Sequence, residues 1–221
     1  MNRVTLEIHD DVARIVMDDD KANVMSVEML TELHEALSNS ATSARVTVLE
    51  GRPGIFSAGF DLATFKRGEE ATRAMMDLGV SLITAMLRHP HPVICVCTGH
   101  AYPMGAFLLL SADYRIGVSG NWQIGLNETA IGITVPHFAL ALARHRLHPS
   151  GVARIGSAAM FDPDRAAQIG YLDEVAAPAE LSAAVDSAIQ SMLSLHGDSF
   201  QATKRRLNDR LVEEMAGAGG Y

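Results

Sequence analysis

VICVCTGHAYPMGAFLLLSADYRIGV, residues 93–118, carries the pattern that decides the fold class. Val93 to Cys97 is a continuous apolar run of mostly β-branched residues, which reads as a strand buried on both faces. Thr98-Gly99 turns the chain, and the apolar stretch Met104 to Ala112 reads as a helix with Pro103 just ahead of it. Tyr114 to Val118 is again strand-like. A strand, a helix and a second strand in direct succession describe an α/β unit with parallel strands and a right-handed crossover.

The same alternation extends outward. Residues 3–8 and 12–17 flank Asp10-Asp11 and form an expected hairpin. Ser26 is a natural N-cap, with Met29, Leu30, Leu33 and Leu37 at helical spacing behind it, so residues 27–38 are expected to be an amphipathic helix. Arg45 to Leu49 is the next strand. Gly51 to Gly59 is rich in Gly, Pro and Ser and reads as a loop, after which Asp61 opens a helix-like stretch. A long helix ends before His89-Pro90. From Pro136 onward the pattern is helical, closing with a helix from about Ser199 to Met215 and a glycine-rich tail, Ala216 to Tyr221, expected to fray. Strand-like runs end at Gly51, Gly99 and Gly120, too unevenly spaced to define a repeat. The division expected is a core domain over residues 1–195 and a C-terminal helical segment over 196–221.

The chain has 221 residues, 48% of them hydrophobic, enough to bury one sizeable core. Its formal charge of −8, from 26 acidic and 18 basic residues, offers no general attraction to nucleic acid or to anionic lipid. Lys204-Arg205-Arg206 with Arg210 is the densest basic cluster and reads as a solvated helix face. Apolar runs such as Phe107 to Leu110 fall far short of the roughly 20 residues that span a bilayer. The start lacks a secretory signal pattern, so a cytoplasmic location is expected. Cys95 and Cys97 point to one face of a strand as buried thiols, excluding a disulfide framework. His89 and His91 flank prolines without a zinc-ligand pattern, and no metal is expected.

Three blocks, in order, resemble the crotonase (enoyl-CoA hydratase/isomerase) superfamily. RPGIFSAGFDL, residues 52–62, resembles that family's Phe-x-Ala-Gly-x-Asp-Leu signature. Val93 to Ile116 resembles its second signature, ending in Ala112-Asp113-Tyr114-Arg115-Ile116. IGLNETAIGI, residues 124–133, is similar to the mitochondrial short-chain 3-enoyl to 2-enoyl-CoA isomerase branch. The resemblance covers about residues 3–210. It implies a spiral of strand-strand-helix turns, a homotrimer or hexamer, and acyl-CoA substrates, with coenzyme A part of the substrate and no separate cofactor. Relatives continue for several helices beyond the position of Lys204, so a shortened C-terminus and a more open acyl pocket are expected.

The chemistry of such a substrate sets what the chain must supply. Removing a proton beside a thioester carbonyl makes an enolate, which needs a base near carbon and donors near oxygen. From spacing alone, Glu128 in Leu126-Asn127-Glu128-Thr129 reads first as a helix-start glutamate held by the macrodipole or by a nearby arginine. The resemblance makes it the base, and a carboxylate buried beside apolar neighbours has the raised pKa that suits one. It also implies the backbone amides of Phe60 and Met104 as donors. Most relatives carry glycine where Met104 stands, so Gly105 is the alternative donor. A helix N-terminus at residues 103–105 offers unpaired N–H groups independently of any resemblance.

Hydratases of this family resemble a two-glutamate machine, and Phe107 occupies the position of their other glutamate. A single base favours isomerisation. Lys21-Ala22-Asn23 resembles the family's segment near adenine and phosphate, with Ala58, Asp61 and Leu62 lining the same pocket; Lys21 reads equally as solvated surface. Lys204 resembles a family lysine, while Met75, Met76 and Met86 are core filler or adapters to an acyl tail. Hydration, another crotonase reaction, and an acyl-CoA-binding protein with little catalysis are the competing functions.

Overall fold

Two aspartates turn the first hairpin. Asp10 (φ 48°) and Asp11 (φ 67°) are both left-handed, the backbone that a two-residue turn between twisted strands requires. Strands β1 (Val4–His9) and β2 (Val12–Met17) pair antiparallel across it. The computed structural model describes residues 2–217.

Ser26 caps helix α1 (Val27–Ser43), its hydroxyl accepting from the Met29 amide, and Met29, Leu30, Leu33 and Leu37 are buried along one stripe. The helix runs past residue 38 because buried Ser40 is satisfied there, donating to the Leu37 carbonyl and accepting from Thr47.

Three turns of a spiral follow, each laying one strand in a large sheet and one in a small sheet before a helix. The first is β3 (Val46–Glu50), β4 (Gly54–Ser57), α2 (Leu62–Phe65) and α3 (Glu69–Arg88). The second is β5 (Val93–Cys97), β6 (Gly99–Ala101) and α4 (Pro103–Ser111). The third is β7 (Tyr114–Val118), β8 (Ile124–Gly125), a 3-10 turn Glu128–Ile131, and α5 (His137–Arg146). Beyond lie α6 (Pro149–Val152), β9 (Met160–Phe161), α7 (Pro163–Ile169), β10 (Glu174–Ala176), α8 (Leu181–Leu193) and α9 (Gly197–Gly217).

The large sheet has the order β1-β2-β3-β5-β7-β10, parallel from β2 onward, and the small one β4-β6-β8-β9. Both faces of the large sheet are covered. Val46, Val48, Ile94, Val96 and Ile116 meet Val185 and Ile189 of α8. Leu49, Val93, Cys95 and Cys97 face the main core beneath α1, α3 and α4. Two-sided burial explains the unbroken apolar runs of β3 and β5.

The shortest strands depart from the expected map. Residues 51–59 contain β4, and the region after Pro136 contains β9 and β10. These strands are two to four residues long and depend on partners distant in sequence, so no local alternation marks them. In the basic cluster, Arg205, Arg206 and Arg210 are exposed, whereas Lys204 is 3% exposed with Nζ 2.6 Å from Asp113 Oδ2. The solvated-face reading fails at Lys204, which pins α9 to the strand layer. Of the tail, Ala216 and Gly217 belong to α9, and residues 218–221 lie outside the described residues. No helix among the described residues is long and apolar enough to cross a membrane.

Candidate active site

One buried side chain gathers the loop that follows β4. Asn23, itself left-handed at φ 49°, donates from Nδ2 to the carbonyls of Met17 (2.9 Å) and Phe56 (3.2 Å). Its own carbonyl accepts from Ser57 Oγ at 2.7 Å, and Ser57 Oγ accepts from the Gly59 amide at 3.1 Å. Ala58 donates to Ala22 O, and Met25 donates to Gly59 O. These bonds fix residues 57–60 from one side. Tyr102 fixes them from the other, its amide donating to Ser57 O at 2.9 Å.

The start of α4 is thereby brought against Gly59. This glycine has φ +88°, and a β-carbon on it would sit 3.6 Å from the Met104 amide nitrogen. Any larger residue would take on the strain of that backbone. The amides of Phe60 and Met104 take no partner among the loop and cap bonds around them. For Met104 this follows from its place in the first turn, where a helix has no acceptor of its own. Gly105 is buried against Ser57, where an added β-carbon would come within 2.9 Å of Ser57 Cβ.

A cavity of about 140 Å3 opens in front of this junction. Ala58, Gly59, Phe60 and Leu62 line it together with Met76, Phe107, Asn127, Glu128, Ile131 and Ile133. Glu128 is 5% exposed. Neither Oε1 nor Oε2 has a hydrogen-bond partner among the described residues. Burial, with only its own backbone amide in opposition, pushes its carboxyl up to about 7. No cation contributes to that balance, so the alternative of an arginine-held helix-start glutamate falls away, although Glu128 does open a 3-10 turn.

Phe107 also faces the cavity, with its ring packed edge-on against Phe138 at 5.5 Å. Where a second carboxylate could stand there is a hydrocarbon ring. The other sequence-derived residues divide. Ala58 and Leu62 line the cavity. Asp61 does not; it caps α2, accepting from the Ala63 amide and from Thr64 Oγ1. Lys21 is exposed, its carbonyl taken by the Arg52 guanidinium, and Ala22 contributes its carbonyl to Ala58. Of the methionines, Met76 reaches the cavity, while Met75 and Met86 are core. Sequence reasoning missed the bracing roles of Asn23 and Ser57, since both act through contacts between distant segments. It also missed Tyr102 as a lining residue.

The geometry defines a class: an α/β spiral with an apolar cavity lined by a buried carboxylate that has no hydrogen-bond partner among the described residues and by the loop that meets the first turn of α4. The family model described as Enoyl-CoA hydratase/isomerase matches residues 7–218, and the chain belongs to that family. It is 30% identical over 199 residues to the human protein named Enoyl-CoA delta isomerase 1, mitochondrial, covering 87% of this chain and 66% of that relative, just under two thirds of its length. A Bacillus subtilis protein named probable enoyl-CoA hydratase is also 30% identical, over 143 residues, covering 63% of this chain and 55% of the relative. Among solved structures, an enoyl-CoA hydratase/isomerase family protein from Pseudomonas syringae superposes with a TM-score of 0.96 at 36% identity, covering 98% of this chain and 94% of that one. The relatives carry both reaction names.

Proposed function

We propose that the chain isomerises 3-enoyl-CoA to 2-enoyl-CoA, with Glu128 as the single proton carrier. The observation that carries this reading is the unpartnered Glu128 carboxylate facing a cavity in which Phe107 replaces any second acid. In the ionised form Glu128 takes a proton from C2, and the C–H electron pair spreads over the thioester oxygen and toward C4 as a dienolate. The neutral carboxyl then returns the proton to C4, the double bond comes to rest between C2 and C3, and the carboxylate is regenerated. No water enters the balance.

The amides of Phe60 and Met104 are assigned to the oxygen of the dienolate, Gly105 being the alternative to Met104. Loss of one such donor typically costs about 3–4 kcal/mol in the transition state. An acyl chain filling the apolar cavity would displace water from it, which strengthens those contacts. Ala22, Ala58 and Leu62 are assigned to the coenzyme side of the cleft, with coenzyme A entering as part of the substrate. Assembly as a homotrimer or hexamer belongs to the same reading.

Hydration of a 2-enoyl-CoA is the alternative, and the probable hydratase among the relatives favours keeping it in view. Matched 2-enoyl- and 3-enoyl-CoA substrates, followed by mass and ultraviolet absorbance, separate the two. Isomer of unchanged mass from the 3-enoyl substrate is the expected product. Hydration of the 2-enoyl substrate at an equal rate would overturn the single-base reading, and tight binding without product would make the chain a binding protein.

A further inference from the structure

Gly79 lies inside the long helix α3, buried, on the same face as Met75, Met76, Leu82 and Ile83. Glycine is the poorest helix former after proline, so a glycine in mid-helix calls for a reason in packing. The reason is visible at its Cα. A β-carbon there would lie 2.6 Å from Cζ and 2.8 Å from Cε1 of Phe60, and 3.5 Å from Cε of Met104. The first two distances are shorter than any carbon–carbon contact tolerates. Gly79 is therefore a notch that receives the edge of the Phe60 ring, with the tip of Met104 beside it.

Phe60 also forms a wall of the cavity, and it is only partly buried, so its ring has somewhere to go. Filling the notch drives the ring away from α3 and into the cavity. We propose that Gly79 is a specificity-determining positioning residue, which sets the space left for an acyl chain by seating the Phe60 ring. This rests on the reading of the cavity as an acyl-binding site, but not on which reaction occurs there.

The test is calorimetric binding of two saturated thioesters, acetyl-CoA and hexanoyl-CoA, to the full chain and to Gly79→Ala. Affinity for acetyl-CoA should change by less than about threefold, while that for hexanoyl-CoA should fall by about tenfold or more, the scale of a one-methylene misfit in an apolar pocket. The thermal midpoint should stay within a few degrees of the parent chain's, since alanine's helix preference offsets much of the cost of moving the ring. A merely structural glycine would instead lose stability and both ligands together, which overturns the proposal. The double variant Gly79→Ala/Phe60→Leu should recover hexanoyl-CoA binding, and failure to recover it also overturns the proposal.

Should Gly79→Ala not fold, Phe60→Leu alone carries the test. It should raise affinity for an acyl chain branched near the carbonyl by about fivefold, a fraction of the pocket's one-methylene discrimination; unchanged affinity overturns the role given to the ring. A parent chain that binds neither thioester overturns the acyl-CoA reading and Gly79's role with it. Parent binding with an unaltered profile in Gly79→Ala overturns Gly79's role alone.

Discussion

Asp113 and Glu128 are both carboxylates withdrawn from water, and their surroundings are opposite. Asp113 Oδ2 holds Lys204 Nζ at 2.6 Å and the Val93 amide at 2.8 Å. Neither Glu128 carboxylate oxygen has a hydrogen-bond partner among the described residues, and the carboxyl rises to about 7. A buried charge without a partner is costly, and that cost appears as a carboxyl whose proton is held more tightly than an exposed glutamate's. The difference teaches where the molecule spends its interactions. Charge that fixes α9 on the sheet is paired, and the carboxylate at the cavity is left free to exchange a proton.

Removing Glu128's charge breaks the comparison most sharply. Glu128→Gln should reduce turnover by about 100- to 10,000-fold, the usual share of a general base, while acyl-CoA binding by calorimetry is retained. The same variant should be more stable at alkaline pH. Because the folded carboxyl is raised above 4.5 to about 7, the native state holds a proton that the unfolded chain has already lost in that window. Stability therefore falls as pH rises from about 4.5 to 7, and glutamine removes that loss. At pH 8 the gain in urea melts should be about 3 kcal/mol, and near zero below the unfolded carboxyl's pKa.

The paired site behaves in the reverse sense. Lys204→Met leaves the largely withdrawn Asp113 with the Val93 amide but no cation and should cost about 3–5 kcal/mol in denaturant unfolding, with kcat of the folded fraction unchanged. Next in size is His89, whose ring is buried between Ser40 Oγ and the His91 carbonyl. Burial first, then the nearby charges of Lys204 and His91, lower it from 6.5 to about 4. Here the unfolded chain binds the proton more readily, so stability should decline by about 3 kcal/mol as pH drops from about 6.5 to 4. His89→Gln should flatten that part of the pH–stability curve. Smallest is the exposed pair Arg14–Asp186, 3.5 Å apart with side chains 38% and 63% exposed. Asp186→Asn should shift stability by less than about 1 kcal/mol, and a larger loss would undo the distinction between buried and surface charge drawn here.

How much of this was legible beforehand depends on whether the signal was local. The hairpin at Asp10-Asp11, the Ser26 cap and the two-sided strand Val93–Cys97 are written in neighbouring residues, and each stands in the fold as read. The strands β4, β6, β8 and β9 are two to four residues long; only their pairing with one another creates them. At the site, motif order named Phe60, Phe107 and Glu128, which line one cavity, and Met104, whose amide lies beside Gly59. The family resemblance singled out Lys204, but the local pattern could not separate it from Arg205 and Arg206, since a helix's buried stripe is invisible in a run of like charges. Asp61 likewise belonged to a matching motif yet serves as a cap. Asn23, Ser57 and Gly79 were beyond reach, because their roles lie in what approaches them from elsewhere in the chain.

The most direct measurement is the titration of the Glu128 carboxyl itself, followed by carbon NMR of glutamate-labelled protein with Glu128→Gln to assign the resonance. A midpoint near 7 is the result expected for a lone buried carboxylate with no partner. A midpoint at or below 4.5, the ordinary glutamate value, would mean that a cation or donor holds the charge, and the single-carrier chemistry assigned to this cavity would be contradicted.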